Sequence, residues 1–229
     1  MNSKKNSRSK KDSPFHHFLY DFVKITGSIP ALIWMRPRVI YPGEKQCLKG
    51  GILVCSNHCT FVDPILLHCV FWQRRIYSLA TKDLYCTKLR KWFFSRVHCI
   101  QVDKENFSVN SFHEVIHRLN QGRMVSIFPE GEVNRAPEEL LAFKSGAILM
   151  AHRAKVPILP LYIVPGRRWY QRRLVLIGDP IDVRELCGAI PTVEDIHRAG
   201  DYVHQMELQL QEYYQTKILK NKKPQEGEQ

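Results

Sequence analysis

The stretch GILVCSNHCTFVDP, residues 51–64, joins a continuous apolar run to a proline of the kind that favours the first turn of a helix. We predict a strand over Gly51–Ser56 and a helix over Pro64–Phe71. His58 and Asp63 lie in the loop between them. A histidine can accept a proton near neutral pH, and an aspartate bound to its far nitrogen would fix the tautomer and hold the ring. The stretch therefore predicts general-base chemistry at the end of a strand.

A second polar string, FPEGEVNR over residues 128–135, also follows an apolar run, Met124–Ile127. It places an acid, a glycine turn and an arginine close together. Polar clusters at the ends of two strands indicate one site at one edge of a sheet.

Candidate strands and helices alternate along the rest of the chain. The strands are nearly continuous apolar runs, which is typical of buried parallel strands. The alternation predicts a single α/β domain with a mostly parallel or mixed sheet covered by helices on both sides. The predicted strands are Arg38–Tyr41, Gly51–Ser56, Ile76–Ala80, Cys99–Val102, Met124–Phe128, Ile158–Ile163 and Leu174–Ile177. The predicted helices are Pro64–Phe71, Thr87–Ser95, Ser108–Asn120, Lys144–Ala154 and Thr192–Thr216.

The composition bounds the class of partner. The 229 residues fit one domain of ordinary size. A net charge of +12 favours a polyanionic partner: nucleic acid, anionic lipid headgroups or phosphate-bearing substrates. Seven cysteines, an odd number without a CxxC pair, indicate a reduced protein facing the cytoplasm.

The two ends differ from the centre. Residues 1–13 and 220–229 are polar and are predicted to be disordered. Residues 14–35 carry apolar side chains at helical spacing, without a clean signal-peptide core or a stretch long enough to span a membrane. We predict an amphipathic helical hairpin in the membrane interface, broken near Gly27 and Pro30; the alternative is a helix that caps the core. Residues 36–219 form the predicted domain.

Three motifs resemble those of the glycerolipid acyltransferases. His58 and Asp63 match the HxxxxD motif of that family, and Phe128–Gly131 match its FPEG motif. The proline-bracketed run Val156–Pro160 resembles its VPIxP block. The similarity extends from about Arg36 to Asp182 and is closest to bacterial 1-acylglycerol-3-phosphate acyltransferases.

The resemblance implies an activity and its partners. The reaction would transfer a fatty acyl group from acyl-CoA or acyl carrier protein to the sn-2 hydroxyl of lysophosphatidic acid, giving phosphatidic acid. His58 would be the general base and Asp63 its orienting partner. No cofactor or metal is implied. The protein would be peripheral or monotopic on an anionic membrane, at the cytoplasmic face of the cell membrane.

The resemblance also implies residues that bind the substrates. Because a phosphomonoester needs cationic donors, basic side chains near the second string are candidates, whereas Glu130 would contact glycerol hydroxyls or orient a cation. The predicted acceptor site is Glu130, Gly131, Arg135 and Lys104, with possible support from Asn57, Asn134, Lys82 and Lys144. The predicted wall of the acyl pocket is Val156, Pro157, Ile158 and Pro160.

Two local expectations follow from neighbouring residues. Prolines are poor residues for a central strand, so the strand after Val156 is expected to begin properly only after Pro160. The basic and aromatic patch Arg167–Arg173 would contact a membrane, coenzyme A phosphates or a carrier protein, or form a solvated hairpin.

Other functions account for less of the sequence. A thioester on Cys59 is not expected, because a neighbour of His58 in sequence usually points away from it. The set Cys55, His58, Cys59, His68 and Cys69 matches no common zinc spacing. A tafazzin-like transacylase, or an enzyme for another lyso-lipid, keeps the mechanism and changes the substrate. A basic module for nucleic acid, or an inactive lipid-binding relative, leaves the paired motifs unexplained.

Overall fold

Seven strands form one sheet in the computed structural model, which describes residues 14–102, 108–134, 140–141, 143–166 and 172–220. The strands are β1 (Arg38–Ile40), β2 (Ile52–Ser56), β3 (Ile76–Thr81), β4 (Cys99–Val102), β5 (Met124–Ile127), β6 (Ile158–Ile163) and β7 (Leu174–Ile177). Their order across the sheet is β1-β7-β6-β2-β5-β3-β4. The five strands from β6 to β4 are mutually parallel, and β7 pairs antiparallel with β6. The predicted mixed, mostly parallel sheet is confirmed.

Helices cover both faces of this sheet. They are α1 (Pro14–Met35), α2 (Asp63–Val70), α3 (Lys88–Arg96), α4 (Val109–Asn120), α5 (Gly146–Ala154), α6 (Val183–Cys187) and α7 (Val193–Tyr213). One buried cluster joins the sheet to α4, α5, α6 and α7. A second cluster joins the other face to α1 and α2. The fold is therefore three-layered, as predicted, with the short α6 as an addition that the sequence pattern did not indicate.

The central strand β2 anchors the stretch at residues 51–64 in the core. All five of its side chains are buried. Leu53 and Cys55 face one core cluster, while Ile52 and Val54 face the other, as the alternation of a strand requires. Each fully buried aliphatic side chain stabilises the fold by about 1.5–3 kcal/mol. The loop after β2 is thus anchored to the most buried part of the molecule.

The proline in β6 corrects one expectation. Pro160 lies inside the strand, paired in register with Cys55 of β2, so β6 does not begin after it. Its carbonyl accepts a hydrogen bond from the Gly178 N–H at 2.9 Å, which lies just past the end of β7. The missing N–H of Pro160 points to that same side, where the regular β6–β7 ladder has ended. The strand therefore tolerates the proline.

The N-terminal helix corrects a second expectation. Residues 14–35 form one continuous helix with Pro30 inside it, so the predicted break near Gly27 and Pro30 is wrong. A proline within a helix removes only one hydrogen bond, here the one to the Thr26 carbonyl. The helix packs against α2, and Met35 at its end joins the core cluster of Leu66 and Leu67.

The remaining boundaries concern the chain ends and the last helix. The predicted disordered segments at 1–13 and 220–229 lie outside the described residues except for Lys220, which ends the last helix, and the domain limits stay predictions. The helix predicted over Thr192–Thr216 is α7, capped by a reciprocal pair of bonds between Thr192 and Asp195, followed by a π-helix over Tyr214–Leu219. None of the helices in the described part of the chain is long and apolar enough to cross a membrane.

Candidate active site

The loop after β2 brings His58 and Asp63 together. The Nδ1 atom of His58 lies 3.1 Å from Oδ2 of Asp63. That carboxylate is buried, and its Oδ2 also accepts the N–H groups of Cys59 and Thr60, each at 2.7 Å. The Thr60 hydroxyl donates to the other oxygen, Oδ1, at 2.5 Å. Because Oδ2 of Asp63 accepts hydrogen bonds, it favours the His58 tautomer with hydrogen on Nδ1, which leaves Nε2 to accept a proton.

The second string holds the histidine from the other side. The ring of Phe128 stacks on the ring of His58, with centroids 4.1 Å apart and an angle of 17° between the planes. The N–H of Asn134 donates to the His58 carbonyl at 2.7 Å. No separate role was predicted for Phe128, although it is the first residue of the FPEG motif. The two motifs therefore build one site at the carboxyl ends of β2 and β5.

Asn57 fixes the same loop to a third strand. Its side-chain oxygen accepts the Ile163 N–H at 2.7 Å, and its Nδ2 donates to the Ile163 carbonyl at 3.0 Å. Nδ2 also lies 3.1 Å from the Cys59 sulfur. Asn57 is buried, so these bonds tie the start of the loop between β2 and α2 to the end of β6. Its place in the site is that of a positioning residue.

Glu130 is a buried acid beside this pair. It is 6% exposed, and neither carboxylate oxygen makes a well-formed hydrogen bond to any residue that the structure describes. Burial raises the pKa of Glu130 to about 7, and the charges of Asp63 and Glu132 act in the same direction. The N–H groups of His58 and Leu141 face the carboxylate and lower its pKa, by less than burial raises it. An unsatisfied buried acceptor of this kind fits a substrate hydroxyl.

Gly131 brings a lysine close to the same place. Its φ of +77° lies in the left-handed region that favours glycine. A Cβ atom added there would lie 2.5 Å from Nζ of Lys144, so the lysine side chain crosses directly over the glycine. Lys144 is exposed and is the predicted supporting residue that the structure places nearest to the FPEG turn.

The Glu130 carboxyl should make stability depend on pH. With a pKa raised from 4.5 to about 7, folding carries no penalty from this group below pH 4.5, and a penalty that grows up to about pH 7. We expect Glu130→Gln to be more stable than the wild type by about 1–3 kcal/mol above pH 7 and equal to it below pH 4.5. Thermal unfolding across this pH range measures the gap. Glu212→Gln, at an exposed position on α7, is the control; a gap independent of pH would contradict the assignment.

A second buried acid lies near Glu130. Glu207 of α7 is 1% exposed, and its Oε1 has no hydrogen-bond partner among the described residues. Burial raises its pKa well above the usual value, and the charge of Glu130 raises it further. The sequence interpretation missed it. The available signal was the spacing: Glu207 falls on the same helical stripe as Val203 and Leu210, where an apolar residue is expected.

Cys59 has the wrong environment for a nucleophile. Burial raises the pKa of its thiol to about 12, and the charges of Asp63 and Glu130 add to this, while Arg173 opposes it. Since the thiolate is the reactive form, the thiol is inert at neutral pH. Its sulfur lies 3.7 Å from the Ile163 carbonyl.

We therefore expect Cys59→Ala to retain most of the activity. The substitution removes a small packed group and no reacting atom. Initial rates of acyl transfer, compared with those of Cys47→Ala at an exposed thiol, measure this. Near-complete loss in a folded Cys59→Ala protein would mean that the sulfur takes part in the reaction.

Other predicted site residues fall in different places. Lys104 and Arg135 lie outside the described residues, as does the 167–171 part of the basic patch. Lys82 is exposed in a short 3₁₀-helix, Lys82–Tyr85, directly after β3. Arg173 crosses Gly166, and its charge reaches Cys59, which places it near the site.

The predicted acyl wall, Val156–Pro160, begins at the opposite edge of the sheet from His58. Ile158 is fully buried in the core and pairs with Leu53 at the start of β6. Packing accounts for these side chains, and a role in an acyl pocket stays a prediction.

Two further features of the site are the backbone N–H groups that could form an oxyanion hole and the side chains that could bind a metal. The N–H groups of Cys59 and Thr60 are occupied by Asp63, so the N–H groups immediately after His58 do not form an oxyanion hole in this arrangement. Within the described ranges, no group of three or more His, Cys, Asp or Glu side chains is placed to hold a metal ion. The expectation that no cofactor is needed stays a prediction.

Comparison with known proteins places this site in a family. The model of the Acyltransferase family matches residues 36–164. The chain is 29% identical over 147 residues to the 1-acyl-sn-glycerol-3-phosphate acyltransferase of Bacillus subtilis, covering 62% of this chain and 72% of that protein. It is 28% identical over 136 residues to the probable 1-acyl-sn-glycerol-3-phosphate acyltransferase of Mycoplasma pneumoniae, covering 56% of this chain and about half (49%) of that one.

A solved structure shares the fold. The 1-acyl-sn-glycerophosphate (LPA) acyltransferase PlsC from Thermotoga maritima superposes with a TM-score of 0.61 at 19% identity, covering 95% of this chain and 86% of that chain. The family model covers more than half of the sequence and includes both motifs that meet at His58. The chain belongs to the acyltransferase family.

Proposed function

We propose that the protein transfers a fatty acyl group from acyl-CoA or acyl carrier protein to the sn-2 hydroxyl of lysophosphatidic acid, giving phosphatidic acid. The observation that carries this proposal is the His58–Asp63 pair, 3.1 Å apart, beside the buried Glu130. The similarity to the 1-acyl-sn-glycerol-3-phosphate acyltransferase of Bacillus subtilis and the probable one of Mycoplasma pneumoniae supports the choice of acceptor.

The proposed mechanism is direct transfer. Nε2 of His58 takes the proton of the acceptor hydroxyl as that oxygen attacks the thioester carbonyl. The tetrahedral intermediate collapses, the C–S bond breaks, and the thiolate leaves with the proton that His58 returns. Asp63 holds the Nδ1 side of the ring and stabilises the imidazolium while it carries this proton. A positioned base of this kind contributes about 10²–10⁴-fold.

The acceptor would be held by groups of both signs. Its phosphomonoester carries about −1.5 to −2 charges and needs cations. Lys144 beside Gly131 and Arg173 near Cys59 are the candidates within the described residues. Arg135 and Lys104 keep their predicted roles. Glu130, whose carboxylate makes no well-formed hydrogen bond to any described residue, would accept one from a glycerol hydroxyl.

The surface of α1 supports the membrane location that we propose. Four large apolar side chains on this helix are exposed: Phe22, Ile29, Ile33 and Trp34. Three of them follow a helical stripe (22, 29, 33), which would lie in the interface of a membrane. We place the protein at the cytoplasmic face of the cell membrane, bound peripherally or monotopically, where a lipid acceptor could reach His58.

An acceptor competition tests this function. The full chain is given labelled acyl-CoA, and separately acyl carrier protein, with equal amounts of lysophosphatidic acid and other lysophospholipids. Phosphatidic acid should be the main labelled product. Preferred labelling of another lipid would replace the acceptor. Labelling only from a phospholipid donor would indicate a tafazzin-like transacylase, and no product from any donor would contradict the proposal.

A further inference from the structure

A cavity of about 530 Å³ lies at the edge of the sheet opposite His58, where β2, β3 and β5 begin. Its lining includes Arg74 and Arg75 just before β3 and Arg123 just before β5. The lining also includes the indole ring of Trp72 and the carboxylate of Asp21, which belongs to α1. Because it faces away from the carboxyl ends of the strands, the reaction proposed above makes no use of it.

The lining carries an excess of positive charge. Three arginines and one aspartate leave a net charge of +2. The aspartate is engaged: Oδ1 and Oδ2 of Asp21 accept from Nε and Nη2 of Arg75 at 3.1 Å and 2.6 Å. The guanidinium of Arg74 donates to neutral backbone carbonyls, those of Leu48 at 3.0 Å, Gly122 at 3.1 Å and Gly50. These bonds fix Arg74 in place and do not neutralise it.

The contacts within the described part of the protein do not account for the side chain of Arg123. Its Nε is buried and has no hydrogen-bond partner among the described residues. Burial lowers the pKa of Arg74, and the positive charge of Arg123 lowers it further, so the two guanidinium groups repel each other. Capping of carbonyls accounts for Arg74, and the ion pair accounts for Arg75. A buried donor without a partner among the described residues, next to a second guanidinium group, is costly unless an anion relieves it.

We propose that this cavity binds a phosphate group. Guanidinium groups match the geometry of phosphate oxygens better than any other side chain. Arg74 and Arg75 are already held in place by their hydrogen bonds, so they need little reorganisation to bind. The lining also includes a partly exposed aromatic residue, since Trp72 is 45% exposed. Such residues favour the headgroup region of a membrane. The phosphate could therefore belong to an anionic lipid headgroup or to a soluble compound.

The test compares two single-charge variants of the full chain. Arg123→Gln removes a charge from the cavity, while Arg153→Gln removes one from an exposed position on α5. Binding of inorganic phosphate is measured by equilibrium dialysis. Binding to phosphatidylcholine vesicles with and without phosphatidylglycerol is measured by co-sedimentation; this lipid is neither substrate nor product of the proposed reaction.

We expect Arg123→Gln to bind about tenfold more weakly, as loss of a charged hydrogen bond implies, and Arg153→Gln to match the wild type. An Arg123-dependent loss with the anionic vesicles assigns a lipid headgroup; a loss with inorganic phosphate alone assigns a soluble compound. Equal binding of both probes by the two variants would overturn the proposal.

A second pair of variants covers the case in which Arg123→Gln does not fold. Gln73→Glu places a negative charge at an exposed position in the lining of the cavity, and Gln205→Glu places one at an exposed position on α7. Neither glutamine has a buried side chain. Weaker binding by Gln73→Glu alone supports the site, and equal binding by both rejects it.

Discussion

His58→Ala is expected to lower kcat for acyl transfer by about 10²–10⁴-fold, because the acceptor hydroxyl would lose its base. The side chain of His58 is 15% exposed, and its contribution to the loop through the carbonyl bond to Asn134 N–H is kept by alanine. The protein should therefore stay folded. Initial rates at saturating substrates, with circular dichroism and thermal unfolding, measure both effects.

The matched control is His197→Ala, an exposed histidine on α7. It should retain the wild-type rate. A folded His58→Ala protein that transfers acyl groups at a rate within a few-fold of the wild type would mean that another group is the base.

Asp63→Asn is expected to lower kcat by a similar factor, about 10²–10⁴-fold, for a different reason. An asparagine can keep its oxygen toward Cys59 N–H and Thr60 N–H while its NH₂ donates to the Thr60 hydroxyl. The loop is preserved, but the negative charge that stabilises the His58 imidazolium is lost. The fall should therefore appear in kcat more than in the stability of the fold.

Asp63→Ala separates the two roles of this carboxylate. It removes the acceptor from buried N–H groups, at a cost of about 1–3 kcal/mol for each group left unsatisfied. Its melting temperature should fall well below that of Asp63→Asn, while both variants lose activity. Asp201→Asn, at an exposed position on α7, is the control. Equal activity of Asp63→Asn and the wild type would remove Asp63 from the mechanism.

The sequence predicted the sheet well because each strand is a short apolar run whose ends are marked by polar or turn-forming residues. β4, β6 and β7 have the predicted bounds, and β2 differs at one end by one residue. The same local pattern predicted that His58 and Asp63 meet, because they are close in the chain and both follow the end of one strand. Short-range spacing was sufficient for this pair because only one loop separates them.

Features that depend on tertiary packing were not predictable in this way. The helix α1 continues through Pro30 and packs against α2, which the local pattern around Gly27 and Pro30 did not indicate. Pro160 is accepted in β6 because β7 ends beside it, which its own neighbours in sequence do not reveal. Glu207 meets the site of Glu130 only because α7 crosses the sheet, more than seventy residues further along the chain.

A label balance tests whether His58 transfers the acyl group directly to lysophosphatidic acid. The full chain is incubated with labelled acyl-CoA and lysophosphatidic acid, then quenched and separated into lipid and protein. We expect label in phosphatidic acid at the sn-2 position and none bound to protein. Label accumulating on the protein as a thioester, or no phosphatidic acid while another lipid is labelled, would contradict it.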